Sequence, residues 1–120
     1  MYYRYHVNYT SPKTGQYVGL FVAVWHLLQK GALSDEETQE YWRQRRYFED
    51  VLPIPPFYAN GNPEGAITWF KDSETARDMA GRLNFYTDIL RKYGVELMET
   101  KSEAPGRIIY EDDYQIGVIP

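Results

Sequence analysis

Hydrophobic and polar residues alternate at the start of the chain. Tyr3, Tyr5, Val7 and Tyr9 take one parity and Arg4, His6, Asn8 and Thr10 the other, a period of two that predicts a strand with one aromatic and one polar face. Ser11–Gly15 (SPKTG) ends it with turn residues. From Tyr17 to Leu28 the run is apolar at 10 of 12 positions. Val18, Phe21, Val22, Val24 and Trp25 favour a strand there, with SPKTG as a hairpin loop. Against that, Gly19, Ala23, His26 and Lys30 fall at i, i+4, i+7 and i+11, a narrow small-or-polar stripe on an apolar cylinder. A helix over about Tyr17–Lys30, stopped by Gly31, is the preferred reading. Apolar nearly all round, it is predicted as the central core helix.

The next helix carries its own start signal. Ser34 followed by Glu37 is a capping-box spacing, with Asp35, Glu36 and Glu37 in the first turn. Tyr41, Phe48 and Leu52 form its apolar stripe, and Pro53 ends it. Pro53–Gly65 (PIPPFYANGNPEG) then holds four of the seven prolines and reads as a long ordered loop, of a kind that is often functional. Ala66–Lys71 (AITWFK) is nearly continuously apolar and predicts an interior strand. Asp72 or Ser73 caps a third helix running to Tyr93 and ending at Gly94. Ala76, Met79, Ala80, Leu83, Tyr86, Leu90 and Tyr93 recur along it at helical spacing. Val95–Lys101 is a further strand. Arg107–Glu111 and Tyr114–Ile119 are β-rich runs around an acidic break, which predicts a terminal hairpin tipped by Glu111, Asp112 and Asp113.

The order β-α-α-β-α-β-β over one domain, residues 1–120, predicts an α+β two-layer sandwich, a mixed five-strand sheet with three helices on one face. The strand–helix–strand unit across residues 66–101 is expected to be a right-handed crossover between parallel strands, and the last three strands a meander. No crossover helix covers the first strand or the terminal hairpin, so these are the expected edges. Tyr2–Tyr9 has no proline to block pairing with another copy, and a two-fold homodimer through that edge, or through the aromatic surface beside it, is expected.

Composition narrows the function classes. Thirteen basic and seventeen acidic residues leave a net charge of −4, which argues against a sequence-independent hold on nucleic acid. No cysteine means no thiolate nucleophile, disulfide or Cys-ligated metal. The Tyr17–Leu28 run is too short to span a bilayer. It has the length of a signal-peptide core, but the preceding residues read as a strand and no small-x-small cleavage site follows, so a cytoplasmic protein is expected. Twelve tyrosines suit a wet core rim or an aromatic contact surface.

The segments GALSDEE (31–37), LPIPPFY (52–58), AITWFKD (66–72) and GRIIYEDDYQIGVIP (106–120) together resemble small conserved bacterial proteins known only as open reading frames. The resemblance implies a bacterial origin and soluble expression. It brings no catalytic residue, ligand or cofactor.

Candidate chemistry is sparse. Glu111, Asp112 and Asp113 are the candidate metal ligands, yet consecutive acids across a tight turn diverge, and a solvated hairpin tip is the simpler reading. Glu99-Thr100-Lys101 matches a nuclease-strand pattern that needs a second carboxylate, for which Asp72 is the available residue. His6 and His26 are the candidate bases near neutrality. His6 is expected on a solvated face and His26 as a hydrogen-bonded structural imidazole. Arg43, Arg45 and Arg46, beside Trp42 and Tyr47, form a basic-aromatic cluster balanced by Glu40, Glu49 and Asp50. The leading reading is a non-enzymatic binding or regulatory module. It would engage a protein partner through Pro55, Pro56, Phe57 and Tyr58, with Trp69 nearby, and use no cofactor. The alternative is a small hydrolase-like enzyme using His6 or His26 with the terminal acids. A nucleic-acid module ranks third.

Overall fold

The alternating segment forms β1, Tyr2–Thr10, in a computed structural model that describes all residues, Met1–Pro120. The apolar run that follows divides in two. Tyr17–Gly19 is a short strand, β2, and helix α1 starts only at Leu20 and runs to Gln29. Both sequence signals were therefore present in one segment, strand first and helix after it. Gly19 takes an extended conformation at the junction. Within α1, Ala23 is buried while Val22 and Trp25 are exposed. The helix thus turns part of its apolar surface outward, and of the small-or-polar stripe only Ala23 is buried, while Lys30 is exposed.

Helix α2, Asp35–Val51, opens with the expected capping box: the Ser34 hydroxyl accepts from the Glu37 amide while the Glu37 carboxylate accepts from the Ser34 amide. The proline-rich loop contains a 3-10 helix at Pro56–Asn60 and leads to β3, Ile67–Lys71. Ser73, rather than Asp72, caps the next helix. That helix is not continuous. It breaks into α3, Glu74–Ala80, and α4, Asn84–Lys92. At Gly81–Leu83 the amides of Arg82 and Leu83 reach back three residues, to Met79 and Ala80, the tighter 3-10 pattern that commonly punctuates helices. Glycine's weak helix propensity places the break. Ala76, Met79, Leu83, Tyr86 and Leu90 remain buried on both sides of it, so the apolar stripe stays in phase.

Strands β4, Leu97–Ser102, β5, Arg107–Glu111, and β6, Gln115–Ile119, complete one sheet of six strands with four α-helices. The class is α+β, as the element order predicts. All neighbouring strands pair antiparallel, so the sheet is not mixed. Tyr2 pairs with both Lys71 of β3 and Ser102 of β4, and His6 with both Gly19 of β2 and Met98 of β4. A residue has one neighbour on each side, so β4 holds one edge of β1 while β2 and β3 share the other. The order is β4-β1-β3-β6-β5, with β2 beside the far end of β1. The expectation that β1 lies at an edge is thereby corrected; the edges are β4 and β5. Strands β3 and β4 do run in the same direction, but β1 lies between them. The terminal meander is likewise replaced, since β6 pairs with β3 and β5 while β4 sits across the sheet.

Register assigns the two faces. Tyr5, Val7, Phe70 and Leu97 point to the helices and join the main core with Val24, Phe48, Leu83 and Leu90, while the buried Tyr3 stacks on Phe70 on the same face. Ile67, Trp69, Ile116 and Val118 form a second cluster on the opposite face, against Tyr2. Ser102 and Arg107 are joined by only five residue steps, at most about 18 Å of chain. The two strands they belong to would stand about 19 Å apart in a flat sheet of this order. The sheet must therefore curl. No helix is long and apolar enough to cross a membrane.

Candidate ligand-binding cleft

The sharing of one β1 edge by two strands leaves a notch. β3 covers the edge at Tyr2 and Tyr3, and β2 covers it from His6 to Thr10, so Arg4 and Tyr5 have no strand partner on that side. A cleft of about 650 Å³ opens over this notch. Its walls are the start of α1 (Leu20, Phe21), the inner face of α2 (Tyr41, Phe48) with the Leu52 that follows it, and the proline-rich loop (Pro53, Ile54, Pro55, Tyr58). Its floor includes Phe70 and Tyr86. Arg4 and Tyr5 both reach the cleft, although register places them on opposite faces of the sheet.

The loop is held in place by specific contacts. The buried Asn62 side chain donates to the Ala66 carbonyl and accepts from the Ala66 amide, both at 2.8 Å. Gln115 donates to the Pro53 carbonyl at 2.6 Å. The Tyr58 and Thr68 hydroxyls share a hydrogen bond of 2.6 Å. Phe57 is turned away from the cleft: its ring lies on Gly117, where an added Cβ would sit 2.4 Å from it, and meets Tyr110 edge-on.

The cleft's apolar surface extends to its mouth. Tyr17, Val22, Trp25, Ile54 and Tyr58 are five of the twelve large hydrophobic side chains that the fold leaves exposed, and all five line it. Burial pushes the Tyr58 and Tyr86 phenols up and lowers the Arg4 guanidinium from its usual value. Arg4 and Thr68 both act against the upward push on Tyr58, so the cation and the phenol sense each other.

The sequence-derived candidates are distributed differently. Pro55 and Tyr58 line the cleft, Pro56 is exposed beside it, and Phe57 is packed on β6. Trp69 is buried at 8% exposure on the opposite face of the sheet. The five do not form one surface. His6, expected to be solvated, is 2% exposed. Its Nδ1 meets the Val7 carbonyl, its Nε2 the Thr100 hydroxyl at 2.7 Å, and its ring stacks on Tyr17. His26 is half-buried and bonded to the Tyr9 hydroxyl at 2.9 Å.

Neither imidazole lines the cleft. The acidic turn follows the end of β5 beside Lys71, which pairs with Tyr2; His6 lies four residues further along β1, about 13 Å at strand rise. Within the turn, Asp112 accepts from the Tyr114 and Gln115 amides and from the Tyr110 hydroxyl, and Glu111 pairs with Lys71. Glu111, Asp112 and Asp113 do not converge, and no group of three acidic or histidine side chains is placed to hold a metal ion. Glu99 faces Lys101 while Asp72 pairs with Arg77. Arg43 is paired with Glu40, and Arg45, which lines the cleft, with Glu49.

Arg4 escaped the sequence reading because its parity suggested only a polar strand face. One signal was available: no Asp or Glu occurs before Asp35, so Arg4 has no local carboxylate. Comparison of the chain with protein-family models, curated proteins and solved structures finds no match.

Proposed function

We propose that this protein is a non-catalytic binding module whose ligand is a small, largely apolar molecule held in the cleft over the β1 notch. The observation that carries this reading is the gathering of exposed apolar side chains at the mouth of the cavity. Scattered exposed hydrophobics need no explanation, but a contiguous set around a concavity marks a binding surface. The volume of about 650 Å³ lies within the range that small-molecule sites use. A catalytic reading has less support, because neither histidine reaches the cleft. The proline-rich loop keeps a binding role, as one wall of the cleft through Ile54, Pro55 and Tyr58.

The uncharged fluorescent probe N-phenyl-1-naphthylamine tests the site without assuming a head group. Bound to the purified protein, it is expected to brighten and to shift the backbone amide resonances of Gly19, Val22, Ile54 and Thr68. Absence of binding, or shifts centred instead on Ile108 and Ile109 of the exposed β5 surface, would remove the basis for the cleft as the site.

A further inference from the structure

We infer that the ligand of this cleft is an amphipathic monocarboxylate whose head group is held by Arg4, an inference that rests on the cleft being the binding site. The polar groups around the cavity are mostly satisfied within the protein. Asn62 is closed on Ala66, Gln115 donates to Pro53 and Asp112, and Arg45 is paired with Glu49. Arg4 differs. Its Nη2 donates to the Tyr17 carbonyl, yet it is in ion-pair contact with no carboxylate. A guanidinium carries five N–H donors, so most of this one's capacity is unspent. Lys13, Lys30, Arg46 and Arg82 are also unpaired with acid, but all four stand in solvent outside the cleft, where water answers for the missing partner.

A half-buried cation beside apolar walls is costly unless something neutralises it. Depression of the Arg4 titration by burial agrees with that environment. The planar fork of a guanidinium fits a carboxylate with two parallel hydrogen bonds. The Tyr58 hydroxyl, held by Thr68 and electrostatically coupled to Arg4, offers a second polar point. A single unpaired cation matches a single negative charge; a phosphate dianion would call for another, and Arg45 is already engaged by Glu49. Phe21, Phe48 and Leu52 supply the apolar wall for the body of the ligand.

The test compares decanoate, decanol and decylammonium, each below its aggregation threshold, by isothermal titration on the wild-type protein and on Arg4→Met. Decanoate is expected to bind wild type more tightly than decanol, and decylammonium to bind weakest. Arg4→Met, which keeps an apolar stem, should cost decanoate roughly tenfold to a hundredfold, the range of a charge-assisted hydrogen bond, and leave decanol unchanged. The Arg4 Nε–H resonance should move with decanoate and stay still with decanol. The ranking on wild type and that resonance keep the test decisive if Arg4→Met fails to fold. Equal binding of decanoate and decanol, with an unmoved Arg4 resonance, overturns the head-group assignment while leaving the cleft as an apolar site. Failure of decanoate, decanol and the naphthylamine probe alike overturns the cleft itself.

Discussion

Glu37 shows how one side chain joins two helices. Its capping role was legible in Ser34 and the three-residue spacing, because that contact is local. Its other partners were not. Lys92 and Tyr93 at the end of α4 donate to the same carboxylate, and no local pattern announces a meeting across that separation. The Lys92 ammonium, the Tyr93 hydroxyl and the Ser34 amide together hold Glu37 down at about 2, against an ordinary value of 4.5. The folded protein thus binds this proton more weakly than the unfolded chain, so the contribution is complete above 4.5 and is lost as pH falls toward about 2. Glu37→Gln keeps a capping acceptor but removes the charge. It should lower the melting temperature at neutral pH and flatten the loss of stability across that acid window. Wild-type and variant curves running parallel through the window would show that Glu37 carries none of the acid sensitivity. His6 teaches the reverse lesson. Its parity placed it correctly opposite the aromatic face, but that face is also packed, and the bonds to Val7 and Thr100 satisfy a buried ring.

Helices and strands were legible where one period ran unbroken. α2 and β1 read directly from capping and alternation. The two misread segments each contained a glycine that changes the local structure: Gly19 where β2 becomes α1, and Gly81 where α3 yields to α4. Hydrophobic periodicity passes through such points unchanged, so it reports the buried face and not the break. The docking of the 3-10 helix was hidden for another reason, since it depends on an absent side chain. Phe57 occupies the space over Gly117, and a Cβ there would come within 2.4 Å of the ring. Gly117→Ala should therefore destabilise the fold by about 1–3 kcal/mol, the usual cost of overpacking. In a Phe57→Ala background the same change should cost far less, and urea denaturation of the four-member cycle measures that coupling. Strictly additive effects would place the ring elsewhere.

Class and layering were readable from element order, but strand order was not, because antiparallel pairing over long separations leaves no local trace. That gap decided both the cleft and the association surface. Placing β1 inside the sheet, between β4 and β3, creates the notch at Arg4, and it also withdraws the edge through which self-pairing was expected. The edges that remain are guarded. β4 presents Glu99 and Lys101, and β5 is interrupted by a register shift between Ile108 and Tyr110, two devices that discourage edge-to-edge addition. Ile108 and Ile109 stay exposed on β5, so the guard there rests on the irregular backbone more than on charge. Light scattering at about 0.1 mM, where a dimer of micromolar affinity would dominate, is expected to return the mass of one chain, 14.2 kDa. Twice that mass would mean that a surface is left unguarded. Ile109→Lys then identifies which one: return to a single chain assigns the contact to β5, whereas an unchanged dimer assigns it to the apolar mouth of the cleft, where decanoate should compete with it.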